Sequence, residues 1–322
     1  MKKTIIGMAM VMLCICVCAV DAQGVQYLIP GGQSIGMELF DGTVTVAELD
    51  ETLGQNAKNA GLCPGDQILA VNETAVHSAE DLRNALHASN GFVTLLVQRS
   101  GKRLQMQMKP QITADGPVLG IYLKQGITGI GTVTYFDPDS LCFGALGHGV
   151  NNSSGQLLPM EQGTVYKAGI LAVTMGRAGA PGQLRGTVTD RQPIGSLEKN
   201  TAQGVFGKAH HSFSGQAIPV AEADTVHAGP ATILSTVSGD GVQEYSVEIL
   251  KIYPKSRQAG RNLMLKITDP ALLEATGGIV QGMSGSPIIQ DGKLIGAVTH
   301  VLVNDPTRGY GIFIENMLDA AA

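Results

Sequence analysis

Three residues have types and settings that suit acyl transfer. Ser284 sits in Gly282-Met283-Ser284-Gly285-Ser286-Pro287, a glycine turn that can present a hydroxyl outward while backbone N–H groups converge on one point. His148 ends the apolar run 141–150 between Gly147 and Gly149, with no flanking side chain to hinder close approach. Asp269 closes the strand-like stretch 265–268 and precedes Pro270. A serine nucleophile needs a base for its proton, a group to orient that base and donors for the developing oxyanion. The chain offers such groups in the order His, Asp, Ser. Each has a plainer reading too: a hairpin bulge, a turn histidine and a strand end.

The elements that must position these residues are short strands. Glycine supplies 42 of the 322 residues and charged residues only 15%, a balance that glycine-punctuated strands produce. The net charge of −5, the lack of a basic stripe and the absence of tryptophan argue against nucleic acid as a partner. Lys2 and Lys3 precede an uncharged run over 4–20, and Val20-Asp21-Ala22 offers small residues for cleavage. Residues 1–22 therefore read as a signal peptide or an uncleaved membrane anchor. Cys14, Cys16 and Cys18 fall in that segment. Cys63 and Cys142 have apolar neighbours and are expected as buried free thiols. No His or Cys spacing suits a metal, and no cofactor is expected.

Residues 27–110 read as one unit. A glycine loop at 29–37 leads to strand-like alternation, and 60–72 is a turn around Pro64-Gly65 followed by a strand. Ser78 with Asp81 forms a capping pattern ahead of a helix over 79–87, and strands over 92–97 and 104–108 flank the turn Ser100-Gly101. The unit resembles a bacterial PDZ domain, most strongly at Ala60-Gly61-Leu62, Pro64-Gly65-Asp66 and 68–72. That resemblance implies peptide binding by strand addition. It also implies that Ser34, Ile35, Gly36 and Met37 form the apolar-Gly-apolar loop that receives a peptide's C-terminal carboxylate.

A second unit is expected over 118–322. Strands are read at 129–136, 165–174 and 186–189, then a long hairpin over 229–253 with Gly239-Asp240-Gly241 at its turn. The Asp291-Gly292 turn joins two more strands, and the one substantial helix is expected at 315–321. His210 and His211 read as solvated loop residues. The fold class expected is mainly β: a small α/β PDZ domain followed by a chymotrypsin-like double β-barrel.

The turn 282–287 resembles the nucleophile turn of chymotrypsin-like proteases. Together with Gly147-His148-Gly149, Thr268-Asp269 and the run 277–311, it is more specifically similar to the SpoIVB serine peptidases of sporulation, which join a PDZ domain to a C-terminal peptidase domain. The resemblance implies that Ser284 is the nucleophile, His148 the general base and Asp269 its acidic partner. Gly282 and Ser284 N–H groups would form the oxyanion hole. In the wider chymotrypsin-like group the acid lies far upstream of the serine, so Asp190 and Asp224 stand as alternatives to Asp269. His300, in Thr299-His300-Val301, falls on the strand that lines the substrate cleft. Gly278 stands where a pocket-base Asp would favour a basic residue. The family role implies export from the forespore into the intermembrane space and cleavage of a membrane-bound inhibitor of the intramembrane protease that processes pro-sigma-K. Self-cleavage near the N-terminus is implied as well, with the PDZ groove holding that segment or the target. A non-catalytic PDZ scaffold and an HtrA-like envelope quality-control protease are the competing readings.

Overall fold

The computed structural model describes residues 25–152, 155–257 and 260–322, so the expected export segment lies outside the described residues. Strand β1 (Tyr27–Pro30) passes through Gly31 and Gly32 into β2 (Ser34–Leu49). Next come β3 (Gln67–Val71), α1 (Ala79–His87), β4 (Val93–Arg99) and β5 (Lys102–Met108). The chain continues with β6 (Ile121–Phe136), β7 (Cys142–Ala145), the paired β8 (Gln162–Thr174) and β9 (Gln183–Thr201), and β10 (Gly204–Ala209). The last third holds β11 (Gly229–Ser235), β12 (Gln243–Ile252), β13 (Leu263–Ile267) and α2 (Pro270–Thr276). It ends with β14 (Pro287–Gln290), β15 (Lys293–Leu302), β16 (Asp305–Phe313) and α3 (Ile314–Ala321).

Two barrels and a PDZ unit result. The second barrel closes in the order β11-β12-β13-β16-β15-β14, around Ile233, Val247, Leu265, Ile288 and Val298. The first runs β2-β6-β7-β10-β9-β8, and β8 pairs back onto β2. Its core holds Ile35, Met37, Leu39, Val133, Phe143, Val165 and Leu197.

That ring corrects the boundary expected at 27–110. Ser34–Leu39 pairs with β6 on one side (Ser34↔Thr132, Leu39↔Ile127) and with β8 on the other (Gly36↔Tyr166, Leu39↔Gly163). The first half of β2 is thus a barrel strand, and only its second half belongs to the PDZ core with Val44 and Val46. Alternating apolar residues are compatible with either sheet, and a long-range pairing decides which one they join. The PDZ unit is inserted into the first barrel, between two strands that run through both bodies without a break.

The ribbon bends where they meet. Register shifts between Leu39 and Val44, and both strands place a glycine there with positive φ: Gly42 at 69° and Gly126 at 64°. A Cβ on Gly126 would meet the Leu39 carbonyl at 1.9 Å, so only glycine lets the two strands stay this close.

Within the PDZ unit, α1 spans the expected 79–87, with Ser78 Oγ accepting from the Asp81 N–H at 3.0 Å. Asp291 and Gly292, both at positive φ, make the expected two-residue turn. Cys63 and Cys142 are free but exposed rather than buried. Apolar sequence neighbours do not bury a residue that lies at a turn or a strand start. No helix among the described residues is long and apolar enough to cross a membrane.

The insertion has a direct consequence. A fragment beginning at Val118 lacks the strand between β6 and β8 and should show no cooperative thermal transition by circular dichroism. An internal excision that replaces 43–123 with a short linker should retain one. A cooperatively folding 118–322 fragment would contradict the pairing.

Candidate active site

Ser284 sits on a turn gripped from both barrels. On the first-barrel side, buried Thr132 donates its Oγ1–H to the Gly282 carbonyl (2.7 Å) and its N–H to the Ser284 carbonyl (3.2 Å). Buried Thr134 donates to the Gly285 carbonyl at 2.8 Å. From the second barrel, the Val298 carbonyl accepts the Gly285 N–H at 2.8 Å. A Cβ on Gly285, at φ 98°, would lie 2.0 Å from the Thr132 carbonyl oxygen. Gly282, at φ 100°, completes the turn. Among the described residues, the N–H groups of Gly282 and Ser284 donate to no protein acceptor. They are the pair that the family resemblance implies for an oxyanion hole.

His148 is brought to the same cavity. After β7, Leu146 and Gly147 both take left-handed conformations, φ 69° and 68°. A leucine in that region costs on the order of 1 kcal/mol, here offset by burial of its side chain in the first-barrel core. His148 and Ser284 line one cavity of about 550 Å³ together with His300. The His148 Nδ1 lies 2.9 Å from the Gly149 carbonyl oxygen. A carbonyl only accepts, so this contact puts the proton on Nδ1 and leaves Nε2 with its lone pair, the tautomer a general base requires. Ser284 Oγ donates to the Thr299 carbonyl at 2.9 Å and makes no hydrogen bond to His148.

Asp269 is not part of this group. Its Oδ1 accepts the N–H groups of Ala271 and Leu272, each at 3.0 Å, and its Oδ2 accepts that of Ser246 at 3.3 Å. It is the N-cap of α2, with Pro270 in the first turn and Gly277 closing the helix at φ 73°. Asp-Pro ahead of an apolar run and a following glycine is a helix signature legible in the sequence, read there as a strand end. Asp190 accepts from the Gln192 N–H, and Asp224 lies in a short 3-10 turn (Ala223–Thr225). Neither hydrogen-bonds to His148, so the group that orients His148 is a backbone carbonyl.

The expected carboxylate loop is corrected as well. Ser34, Ile35, Gly36 and Met37 are buried strand residues paired on β6, and Ile35 to Met37 on β8 too, so their N–H groups face barrel strands and no peptide terminus. The groove of the PDZ unit, about 400 Å³, runs between Ala79, Leu82, Arg83 and Leu86 of α1 and the stretch 117–123. Leu119-Gly120-Ile121 repeats the apolar-Gly-apolar pattern there, with Gly120 at φ 67°. Both stretches carry the pattern in the sequence, and only chain pairing tells the two apart.

A sequence profile described as SpoIVB peptidase S55 matches residues 117–318, more than half of the chain. The chain belongs to that family of serine peptidases. A PDZ-domain profile matches 52–99. Among curated proteins, a putative zinc metalloprotease of Agrobacterium fabrum is 35% identical over 88 residues, 27% of this chain and 23% of that protein. A second, from Rhizobium meliloti, is 30% identical over 77 residues, 24% and 21% of the two chains. The chain thus spans under a quarter of the curated relatives it matches. Among solved structures, an inactive form of Rv3671c from M. tuberculosis aligns with a TM-score of 0.36 and 15% identity, covering 60% of this chain and 81% of that one. The HtrA-type protease AlgW with a decapeptide aligns at 0.37 and 12%, covering 65% and 57%. Among the described residues of this SpoIVB-type chain, no group of three or more His, Cys, Asp or Glu is placed to hold a metal ion.

Burial disfavours the charged form of both cleft histidines. It lowers the pKa of His148, and it lowers that of His300 to about 4, helped by repulsion from His148 and Arg261. In the unfolded chain each ring titrates near 6.5, so the unfolded state binds more protons below that value. The stability from neutral rings is therefore complete above about 6.5 and is lost as pH falls toward about 4. His300→Asn should flatten this part of the melting temperature against pH, and an unchanged slope would contradict the assignment. Asp269→Ala should cost about 1 kcal/mol of stability as a lost cap, while Asp269→Asn keeps both stability and turnover. Loss of turnover in a folded Asp269→Asn would return Asp269 to the catalytic group.

Proposed function

We propose that this protein hydrolyses peptide bonds with Ser284 as nucleophile and His148 as general base, acting as an endopeptidase under a regulatory PDZ unit. The observation that carries this is the convergence of a glycine-turn serine, two unpaired N–H groups and a neutral, correctly tautomerised histidine in one cavity. In the reaction, Ser284 Oγ exchanges the Thr299 carbonyl for His148 Nε2 and attacks the substrate carbonyl as its proton passes to that nitrogen. The Gly282 and Ser284 N–H groups stabilise the oxyanion. His148 returns the proton to the leaving amine, and water then releases the acyl group by the same route.

Family membership supports the wider setting: a sporulation peptidase exported from the forespore, cleaving a membrane-bound inhibitor of the intramembrane protease that matures pro-sigma-K, and itself near the N-terminus. The regulatory role given to the PDZ unit is supported by the ribbon. Ile121–Leu123 of β6 line the PDZ groove, and Thr132 and Thr134 of the same strand hold the nucleophile turn.

A fluorophosphonate probe should label the native protein and not Ser284→Ala. Unlabelled native protein would leave the non-catalytic scaffold as the reading. His148→Ala should lower kcat/KM about 10³-fold or more. The acid limb of kcat/KM should fall below the ordinary histidine value of 6.5, because burial disfavours the imidazolium. N-terminal sequencing of the protein's own fragments, absent in Ser284→Ala, tests self-cleavage.

A further inference from the structure

The cavity around Ser284 contains no formal charge. Among the described residues its walls carry no Asp, Glu, Lys or Arg. Ile127, Leu146 and Val150 face it from the first barrel, and Ile279, Val280 and Val301 from the second. Gly278, the residue before the lining Ile279, has φ 133°, and a Cβ there would lie 2.2 Å from the Pro306 carbonyl oxygen. No carboxylate can stand at that position. The polar groups left are Asn151, Gln281, the Ser284 and Thr299 hydroxyls, the backbone and two histidines whose charged forms burial disfavours. His300 Nδ1 is buried with no hydrogen-bond partner, and its ring centroid is 5.5 Å from that of His148. The neighbouring groove differs sharply. It shares Gln281 and Gly282 with the cavity but is also lined by Glu38 and Arg185.

Resting on the peptidase reading above, we infer that this cavity selects an uncharged, apolar side chain next to the scissile bond, with the unpartnered Nδ1 of His300 among the polar groups of its wall. An ammonium or carboxylate entering here would lose its hydration against walls that carry no charge of their own, while an aliphatic chain gains contact with apolar side chains of both barrels. The volume, about 550 Å³, exceeds what one leucine fills, so size alone does not exclude lysine or glutamate and the discrimination is one of charge.

Peptidyl diphenyl phosphonates with leucine, valine, lysine or glutamate at the reacting residue test this on the full protein. Ser284 Oγ bonds to phosphorus, phenoxide leaves, and the hydroxyl proton is carried off through His148. The leucine and valine probes should inactivate about 100-fold faster than the lysine and glutamate probes. Val301→Glu, at a half-buried rim position, should raise the lysine-to-leucine rate ratio at least about tenfold, since it supplies the missing counter-charge. Equal rates for charged and apolar probes would overturn the inference, as would an unchanged ratio in a Val301→Glu protein that still takes the fluorophosphonate. If no peptidyl probe reacts although the fluorophosphonate does, the cavity does not receive the side chain and the inference fails alone. If the fluorophosphonate fails too, the peptidase reading falls with it.

Discussion

Two buried threonine hydroxyls set the geometry on which the site depends. Thr132 and Thr134 belong to the first barrel, yet their Oγ1 atoms donate to the Gly282 and Gly285 carbonyls of the second. Both side chains are fully buried, so each bond replaces an acceptor that water cannot reach, and losing one would leave a carbonyl unsatisfied at about 1–3 kcal/mol. In a trans peptide the N–H points opposite the carbonyl, so with the Gln281 carbonyl held by the Leu184 N–H and the Met283 carbonyl by the Ser286 N–H, the Gly282 and Ser284 N–H groups point away from these contacts. The two unpaired N–H groups thus follow in part from how the two barrels are tied together. The conformation demands glycine at Gly285, where any side chain would drive the barrels apart.

The same strand gives the molecule its long-range organisation. β6 begins as a wall of the PDZ groove, crosses the glycine bend at Gly126 and ends holding the serine turn. A second tie comes from the β8–β9 arm, which is itself hydrogen-bonded to β2. Its tip bonds Gly176 N–H to the Thr276 carbonyl, and Gly182 and Leu184 to Gln281, fixing the segment just ahead of the oxyanion donors. Gln281, Gly282, Ser284 and Gly285 are therefore each held by a strand or arm that belongs to, or pairs with, the ribbon leading to the PDZ unit. Insertion of the PDZ unit makes this unavoidable, since a domain appended at a terminus would share no strand with the barrel.

What the sequence revealed and what it hid follow one rule. Local signals held: the Ser78 cap, the Asp291-Gly292 turn, the serine turn and the histidine strand end all depend on residues within a few positions of one another. The errors concern choices between distant partners. Ser34–Met37 and Leu119–Ile121 carry the same apolar-glycine-apolar pattern, and pairing across the barrel consigns the first to the core. Asp269 was a different failure, since its capping chemistry was local and legible. The triad role implied by the family resemblance competed with it. Thr132 and Thr134 had no signature, because a threonine in a strand looks the same whether it faces solvent or grips a loop from another barrel.

The resting contact of Ser284 also follows from these constraints. The hydroxyl donates to the Thr299 carbonyl, at a register shift where β15 skips one residue of its pairing with β16. That bulge is held by Thr299 Oγ1, which donates to the Gly260 carbonyl at 2.7 Å, so the acceptor is fixed while the serine rotor is free to turn. A single neutral hydrogen bond of this kind contributes about 1 kcal/mol net, which makes the exchange from Thr299 to His148 inexpensive. The balance is further eased because His148 is neutral and has its Nδ1 proton committed to Gly149. In the proposed reaction its free nitrogen is the stronger acceptor of the two once a substrate carbonyl draws charge from Ser284. A carboxylate against Nδ1 would raise that basicity further, and a backbone carbonyl orients the ring without adding charge to the cleft.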